Sequence, residues 1–260
     1  MARRVRNVRE LSALAESSPE RIALGAWLLR LAVRRIARSR RTAVTTIELG
    51  GVRYTLDWNA AEHVPLREVV VRRSYWPTPW WRPRPGELVV DVGANAGVFT
   101  IAAALAVGAG GRVVAIEPNA TVAARLMENV AENRLTDRVT VYPVAAGERS
   151  ATGRLVVERN TTVGIVEPGP GTTPIETVDA LVGDRVVGLL KVDVEAHEAA
   201  VLRGARTVLE RVRGAVIEHD EVALPAIRAE LERAGLTDIE VRSAGPESGA
   251  HLVFARRPLP

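Results

Sequence analysis

Glu87-Leu-Val-Val-Asp91-Val-Gly93-Ala-Asn95-Ala-Gly97-Val-Phe99-Thr100 is an apolar strand that runs into a glycine-rich turn and then directly into an apolar helix. Glycine lets the backbone turn tightly and come close to a ligand, and the first amides of the helix present the positive end of its dipole. The stretch reads as a cradle for a nucleotide cofactor. Spacing narrows the choice of cofactor. A dinucleotide fold wants G-x-G-x-x-G, whereas Gly93 and Gly97 stand four apart behind Asp91. A phosphate-binding P-loop is excluded, because no Gly-Lys-Ser/Thr follows.

Working outward, Val113-Val-Ala-Ile116-Glu117-Pro118-Asn119 is a second buried strand ending in an acid, placed where ribose hydroxyls need an acceptor pair. Further on come Leu189-Leu-Lys191-Val-Asp193-Val-Glu195-Ala-His197-Glu198 and Val201-Leu-Arg203-Gly204-Ala205. The cradle resembles motif I, D-x-G-x-N-x-G, of class I S-adenosylmethionine (SAM) methyltransferases. The later stretches resemble the K-[VI]-D-[VI]-E-G-x-E and L-x-G-A signature of the FkbM family. Three separated motifs in the right order carry this resemblance, across about residues 86–220.

The resemblance implies a Rossmann-like α/β fold, a seven-stranded and mostly parallel sheet closed by an antiparallel hairpin. It implies SAM as cofactor, held by Asp91, Gly93, Asn95, Gly97, Glu117, Pro118, Asn119 and Ala145. It also implies transfer to a hydroxyl of a sugar, polyketide or other secondary metabolite, a small-molecule acceptor. Methylation of nitrogen or carboxyl groups on a peptide or carrier-bound substrate, and a non-catalytic SAM-binding scaffold, are the alternatives. Ala196 and His197 depart from the family pattern, which has glycine and then a small residue there.

Methyl transfer from a sulfonium needs in-line alignment and, for a hydroxyl acceptor, a group to take the proton. Strand alternation puts Lys191 and Asp193 on one face, with Glu195 and His197 just beyond. Asp193 and Glu195 are assigned to the reaction centre with Lys191, and His197 and His219 are candidate bases. Lys191 is the only lysine among 35 basic residues, and it lies on an apolar strand where a compact, tunable ammonium differs most from arginine. Asp193, Glu195, Glu218, His219 and Asp220 include hard oxygen ligands that could hold Mg²⁺. Hydrogen bonding is the preferred use for them, and no metal ligand is assigned.

Composition bounds the rest. The 260 residues are 47% hydrophobic and 4% aromatic, enough for one α/β domain and a modest extension. No cysteine occurs, which removes disulfides, thiolate metal sites and a cysteine nucleophile and fits a cytoplasmic protein. No stretch reads as a signal peptide or transmembrane span. The net charge of +4 hides an asymmetry: residues 1–41 hold eleven arginines against Glu10, Glu16 and Glu20, so the remainder is slightly acidic. That tail suggests contact with an acidic substrate, a carrier protein, a second subunit or a membrane surface; with no base-flipping motif, nucleic acid is not an expected partner.

Along the chain, Ser17-Ser18-Pro19-Glu20 starts a helix running to about Arg41, and residues 45–58 form a hairpin turning at Gly50-Gly51. Tyr75, Trp76, Trp80 and Trp81, interleaved with Pro77, Pro79, Pro83 and Pro85, form a stiff extended segment. Its indoles are expected to wall the pocket, to plug the space between extension and core, or both. Core strands are expected at 88–92, 112–116, 139–144, 186–193 and 214–218, with helices at 97–107, 120–133, 196–211 and 222–234. A closing antiparallel pair spans 238–242 and 250–256. An inserted strand at 154–158 and a mobile loop over 161–174 complete the reading. Thr177-Val-Asp179 resembles the family's T-[LV]-D helix start. The domains read as an extension over 1–85 and a SAM-binding domain over 86–260.

Overall fold

The structure is a computed structural model; it describes residues 44–57, 60, 62–71, 73–157, 164–220, 222–244 and 250–258. The expected helix over residues 19–41, Glu221 and the 245–249 turn lie outside the described residues.

The apolar runs form a seven-stranded sheet. Its core strands are β3 (Leu88–Val92), β4 (Arg112–Ile116), β5 (Val139–Tyr142), β10 (Val187–Val192) and β11 (Gly214–His219). The pair β12 (Asp238–Ser243) and β13 (His251–Arg256) completes it, in the order β12-β13-β11-β10-β3-β4-β5. Only β13 runs against its neighbours. Every residue of β3 is buried, as a central parallel strand covered on both faces must be.

Alternation sorts the side chains between two cores. Val89, Leu189, Val216 and Phe254 point to the first face, which α1 (Val98–Val107) covers with Phe99, Ile101 and Ala104. Val90, Leu190, Ile217 and Val253 point to the second. That face is covered by α3 (Val178–Val182), α4 (Glu198–Arg203), α5 (Arg206–Arg211) and α6 (Leu224–Arg233). α2 (Ala120–Glu132) packs on the first side through Leu126 and Val130. The chain leaves β3 toward β4 and β5 and returns to β3's other side at β10, so a topological switch falls at the carboxyl end of β3.

The expected helix over 196–211 is two short helices. A Cβ on Gly204 would lie 1.9 Å from the Gly147 carbonyl oxygen, so the chain is pressed against another backbone where the helix breaks. The T-V-D stretch serves both sides of this break. Thr177 caps α3 by accepting from the Ala180 amide at 3.1 Å, and Asp179 caps α5 by accepting from Thr207 and Val208 at 3.0 and 2.9 Å.

Residues 151–176 correct the expectation of a lone strand and a mobile loop. β7 (Ala151–Val157), β8 (Gly164–Pro168) and β9 (Thr173–Glu176) join β6 (Ala145–Ala146) in a second sheet ordered β6-β9-β7-β8. Thr152 and Thr173 lie in strands, and Gly169 and Gly171 fall in the bend between β8 and β9.

The hairpin of β1 (Val44–Leu49) and β2 (Val52–Asp57) turns at Gly50-Gly51 as expected and lies along α2. Asn129 accepts from the Thr55 amide at 2.6 Å and donates to the Thr55 carbonyl at 2.9 Å. Asn133, one turn on, does the same for Arg53 at 2.9 and 2.7 Å. Two carboxamides thus stand in for a strand partner. Asn129 also donates to the Ala96 carbonyl at 2.8 Å, which ties the hairpin to the cradle turn.

The aromatic segment crosses the first face of the sheet from one end to the other. Tyr75 and Trp76 meet Phe99, at ring separations of 5.5 and 5.6 Å. Trp80 and Trp81 reach the amino end of β11, and Trp81 packs on Phe254 at 5.0 Å. A Cβ on Gly214 would lie 2.7 Å from the Trp81 ring. Arg213 clamps Glu87 with two hydrogen bonds, donates to the Trp80 carbonyl at 2.7 Å and lies 4.9 Å from the Trp80 ring. Trp80 and Trp81 are therefore a plug at the end of the sheet away from the cradle, and only Tyr75 and Trp76 approach it.

Candidate functional site

The cradle is built where β3 ends. Asp91 is fully buried; its carboxylate accepts from the Thr100 hydroxyl at 2.5 Å and lies 3.0 Å from the Lys191 ammonium. Gly93 and Gly97 adopt φ of +75° and +90°, which glycine alone takes without strain, and Asn95 sits at +50°. A Cβ on Gly93 would fall 1.8 Å from the Asp193 carbonyl oxygen, so the turn rides directly on the end of β10. Gly97 opens α1 and brings its first amides to the turn.

Glu117, just past β4, faces the same turn. Its Oε2 accepts from the Asn95 amide at 3.0 Å and its Oε1 from the Asn119 amide at 2.9 Å. Burial nevertheless pushes its carboxyl up to about 7. Asn119 then caps α2, accepting from Thr121 at 3.1 Å. Pro118 links Glu117 to this cap, while Ala145 lies beyond β5, buried and paired with Ile175 in the second sheet.

Lys191 ties the end of β10 to the cradle turn. Its side chain is 4% exposed, and it donates to the Gly93 carbonyl at 2.8 Å while lying 3.0 Å from Asp91 and 3.4 Å from Asp193. Burial alone would lower its pKa, but Asp91 and Asp193 outweigh burial and hold it above the usual lysine range. An ammonium so engaged is a fixed cation rather than a base. Asp91 in turn grips Lys191 and Thr100, so its part in the cradle runs through these two.

Residues beyond β10 form a strained turn. Glu195 and Ala196 have φ of +49° and +67°, and the Ala196 amide donates to the buried Glu198 at 3.0 Å. His197 starts α4 with its Nδ1 3.2 Å from the Glu195 carbonyl oxygen.

His219 does not join this group. It follows Glu218 on β11, so the two point to opposite faces: Glu218 shares a parity with Val216 on the first face, His219 with Ile217 on the second. Its Nδ1 donates to the Asp220 carbonyl, and its ring lies 5.8 Å from His251, the cross-strand partner on β13. The expectation that His219 is a base at the reaction centre is corrected on this ground. Among the described residues no three His, Asp or Glu side chains are grouped to hold a metal ion.

Sequence reasoning named Glu218 only within a group of hydrogen-bonding acids and gave Tyr75 no polar role. Glu218 ends β11 beside Asp193, and the Tyr75 hydroxyl, 143 residues away in sequence, donates to its Oε2. The alternation of β11 was the available signal for Glu218. For Tyr75 there was none.

A mostly parallel sheet with a glycine cradle after its first core strand, a buried acid after the second and acids at the carboxyl ends of β10 and β11 defines a class I methyltransferase fold. The methyltransferase FkbM domain profile matches residues 91–236. The chain belongs to the FkbM methyltransferase family.

Among curated proteins, it is 30% identical over 142 residues to the hexuronic acid methyltransferase AglP of Haloferax volcanii, which covers 51% of this chain. The match spans 55% of that relative's length. Among solved structures, M. jannaschii TYW2 in complex with AdoMet aligns with a TM-score of 0.49 at 19% identity, over 84% of this chain and 87% of the other. A SAM-dependent O-methyltransferase from Thermotoga maritima aligns with a TM-score of 0.49 at 13% identity, over 83% and 78%. No described helix is long and apolar enough to cross a membrane.

Proposed function

We propose that the protein transfers the methyl group of SAM to a hydroxyl of a sugar or a related polyhydroxylated metabolite. The observation that carries this reading is the cluster at the carboxyl edge of β10 and β11. Asp193, anchored by Lys191, and Glu218, anchored by Tyr75, share one face beside the cradle. Carboxylates accept hydrogen bonds from neutral hydroxyls and repel an anionic carboxylate acceptor. The partly buried Trp76, packed on Phe99, adds apolar surface of the kind a sugar ring's C–H face packs against. The hexuronic acid named for the relative fits if its hydroxyl, and not its carboxylate, meets this edge.

The residues fit the donor. The Glu117 carboxylate offers remaining lone pairs to ribose hydroxyls, and the Gly93–Gly97 turn brings backbone close without side chains in the way. Bound SAM supplies a methyl on a sulfonium, whose departure leaves a neutral thioether. The chain's part is to align and to remove a proton. Lys191 holds the turn, Asp91 and Asp193 in one arrangement, which is positioning rather than proton transfer. Asp193, Glu195 and His197 rim the acceptor side, and Tyr75, from the segment before β3, closes it.

Calorimetry with SAM and with S-adenosylhomocysteine tests the cradle, and transfer of labelled methyl to methyl glucoside and methyl glucuronoside tests the acceptor class. Binding of both nucleosides with transfer to a sugar hydroxyl is expected. Failure of both to bind would remove the methyltransferase reading, and transfer confined to peptides or amines would replace the acceptor.

A further inference from the structure

Hydroxyl methylation releases one proton for each methyl moved, and that proton needs a destination at the acceptor. We infer that Glu218 is that destination, with Tyr75 as the residue that positions it; the inference rests on the reading given under Proposed function.

Three geometric facts place it. Lys191 pairs with Val216 and Val192 with Ile217 in the parallel register of β10 and β11, so one step further Asp193 stands beside Glu218 on the same face. Tyr75 occupies Oε2, and the Glu218 side chain makes no other hydrogen bond among the described residues, which leaves Oε1 to receive a substrate hydroxyl. Glu218 is only partly buried, whereas Lys191 and Asp91 beside it are closed off by their mutual contacts.

Two of the competing candidates are worse placed. His219 faces the other side of the sheet, and Lys191 is a held cation.

The surroundings suit a base. Glu218 is faced by Lys191 from β10 and Asp193 just past it, by Glu68 from the short π-helix Leu66–Val71, and by the Tyr75 hydroxyl. Burial first, then the charges of Asp193 and Glu68, push its carboxyl up to about 8, while the Tyr75 hydrogen bond and Lys191 pull the other way. A carboxylate of that basicity takes a proton far more readily than an ordinary one. Burial first and then the acids Asp193, Glu218 and Glu68 hold Tyr75 well above the usual phenol range, so it stays a donor. In the step itself the acceptor O–H bond breaks as the O–CH3 bond forms. The proton moves to Glu218 Oε1, and the S–CH3 bond pair stays with sulfur.

The test uses the full chain, SAM labelled in its methyl group, and methyl glucoside and methyl glucuronoside as acceptors. In the wild type the turnover rate should rise with pH, reach half its maximum near 8 and level off above that. Glu218→Gln, which keeps the shape, should bind SAM within twofold of wild type yet lose at least a hundredfold in turnover and lose the alkaline rise. Tyr75→Phe removes a bond that favours the carboxylate, so its rise should move to higher pH with a smaller loss of rate. Glu218→Gln turnover with the wild-type rate and profile overturns the assignment and leaves the methyltransferase reading intact. A wild type that binds SAM but methylates neither sugar overturns the acceptor reading and this inference with it.

Discussion

Ala196 is held at φ +67°, a conformation that costs a residue with a Cβ about 1 kcal/mol. Glycine removes that cost but loosens the unfolded chain, so Ala196→Gly should stabilise by a net of about 0.5 kcal/mol in urea unfolding. Lys191 illustrates the opposite case. Replacing it with methionine keeps the volume but strands the buried Asp91 carboxylate, and a loss of about 3–5 kcal/mol is expected in the same experiment.

Glu117 makes a pH-dependent prediction. Its folded pKa, about 7, lies above its unfolded value, so its contribution to stability is present below the unfolded pKa and is lost as pH rises through 7. Ribose hydroxyls, in contrast, prefer the ionised acceptor. SAM affinity should therefore increase between pH 6 and 8 by calorimetry, and Glu117→Gln should flatten that increase while binding more weakly. Affinity that falls over the range would refute Glu117 as the ribose partner.

At the scale of elements, the structure explains why short motifs sit so far apart in the sequence. Thr177-Val-Asp179 and Gly204-Ala205 form one joint: Asp179 caps α5 while its own amide donates to the Gly204 carbonyl at 3.0 Å. Asp179→Ala should cost about 1–2 kcal/mol by thermal unfolding, as loss of a helix cap does. Strands, caps and the cradle turn were legible because each depends on neighbours within a few residues. The break between α4 and α5 was not, since it is caused by the approach of Gly147 to Gly204. His219 could have been placed better: adjacent strand residues cannot share a face, so counting from Val216 already sends it away from Glu218.

For the whole molecule, the carboxyl edge of the sheet is where segments distant in sequence converge. The cradle follows β3, Glu117 follows β4, Lys191 and Asp193 flank the end of β10, Glu218 lies near the end of β11, and Tyr75 comes from before them all. Alternation and strand order made the first five readable, but no local pattern could announce that a tyrosine in a proline-rich stretch would meet β11. Because the cradle joins elements from both sides of the switch point, its ligand should stabilise the fold globally. At a hundredfold excess over its Kd, SAM should add about 2.7 kcal/mol, raising Tm by about 5–10 °C.

The same convergence makes Lys191 a built-in gauge of folding. It is the sole lysine of the chain, and its ammonium is enclosed between Asp91, Asp193 and the Gly93 carbonyl. Amine-reactive reagents should then mark the native protein at its amino terminus alone and gain one further label per molecule only when β3 and β10 part. A mass spectrum would count opened sites molecule by molecule.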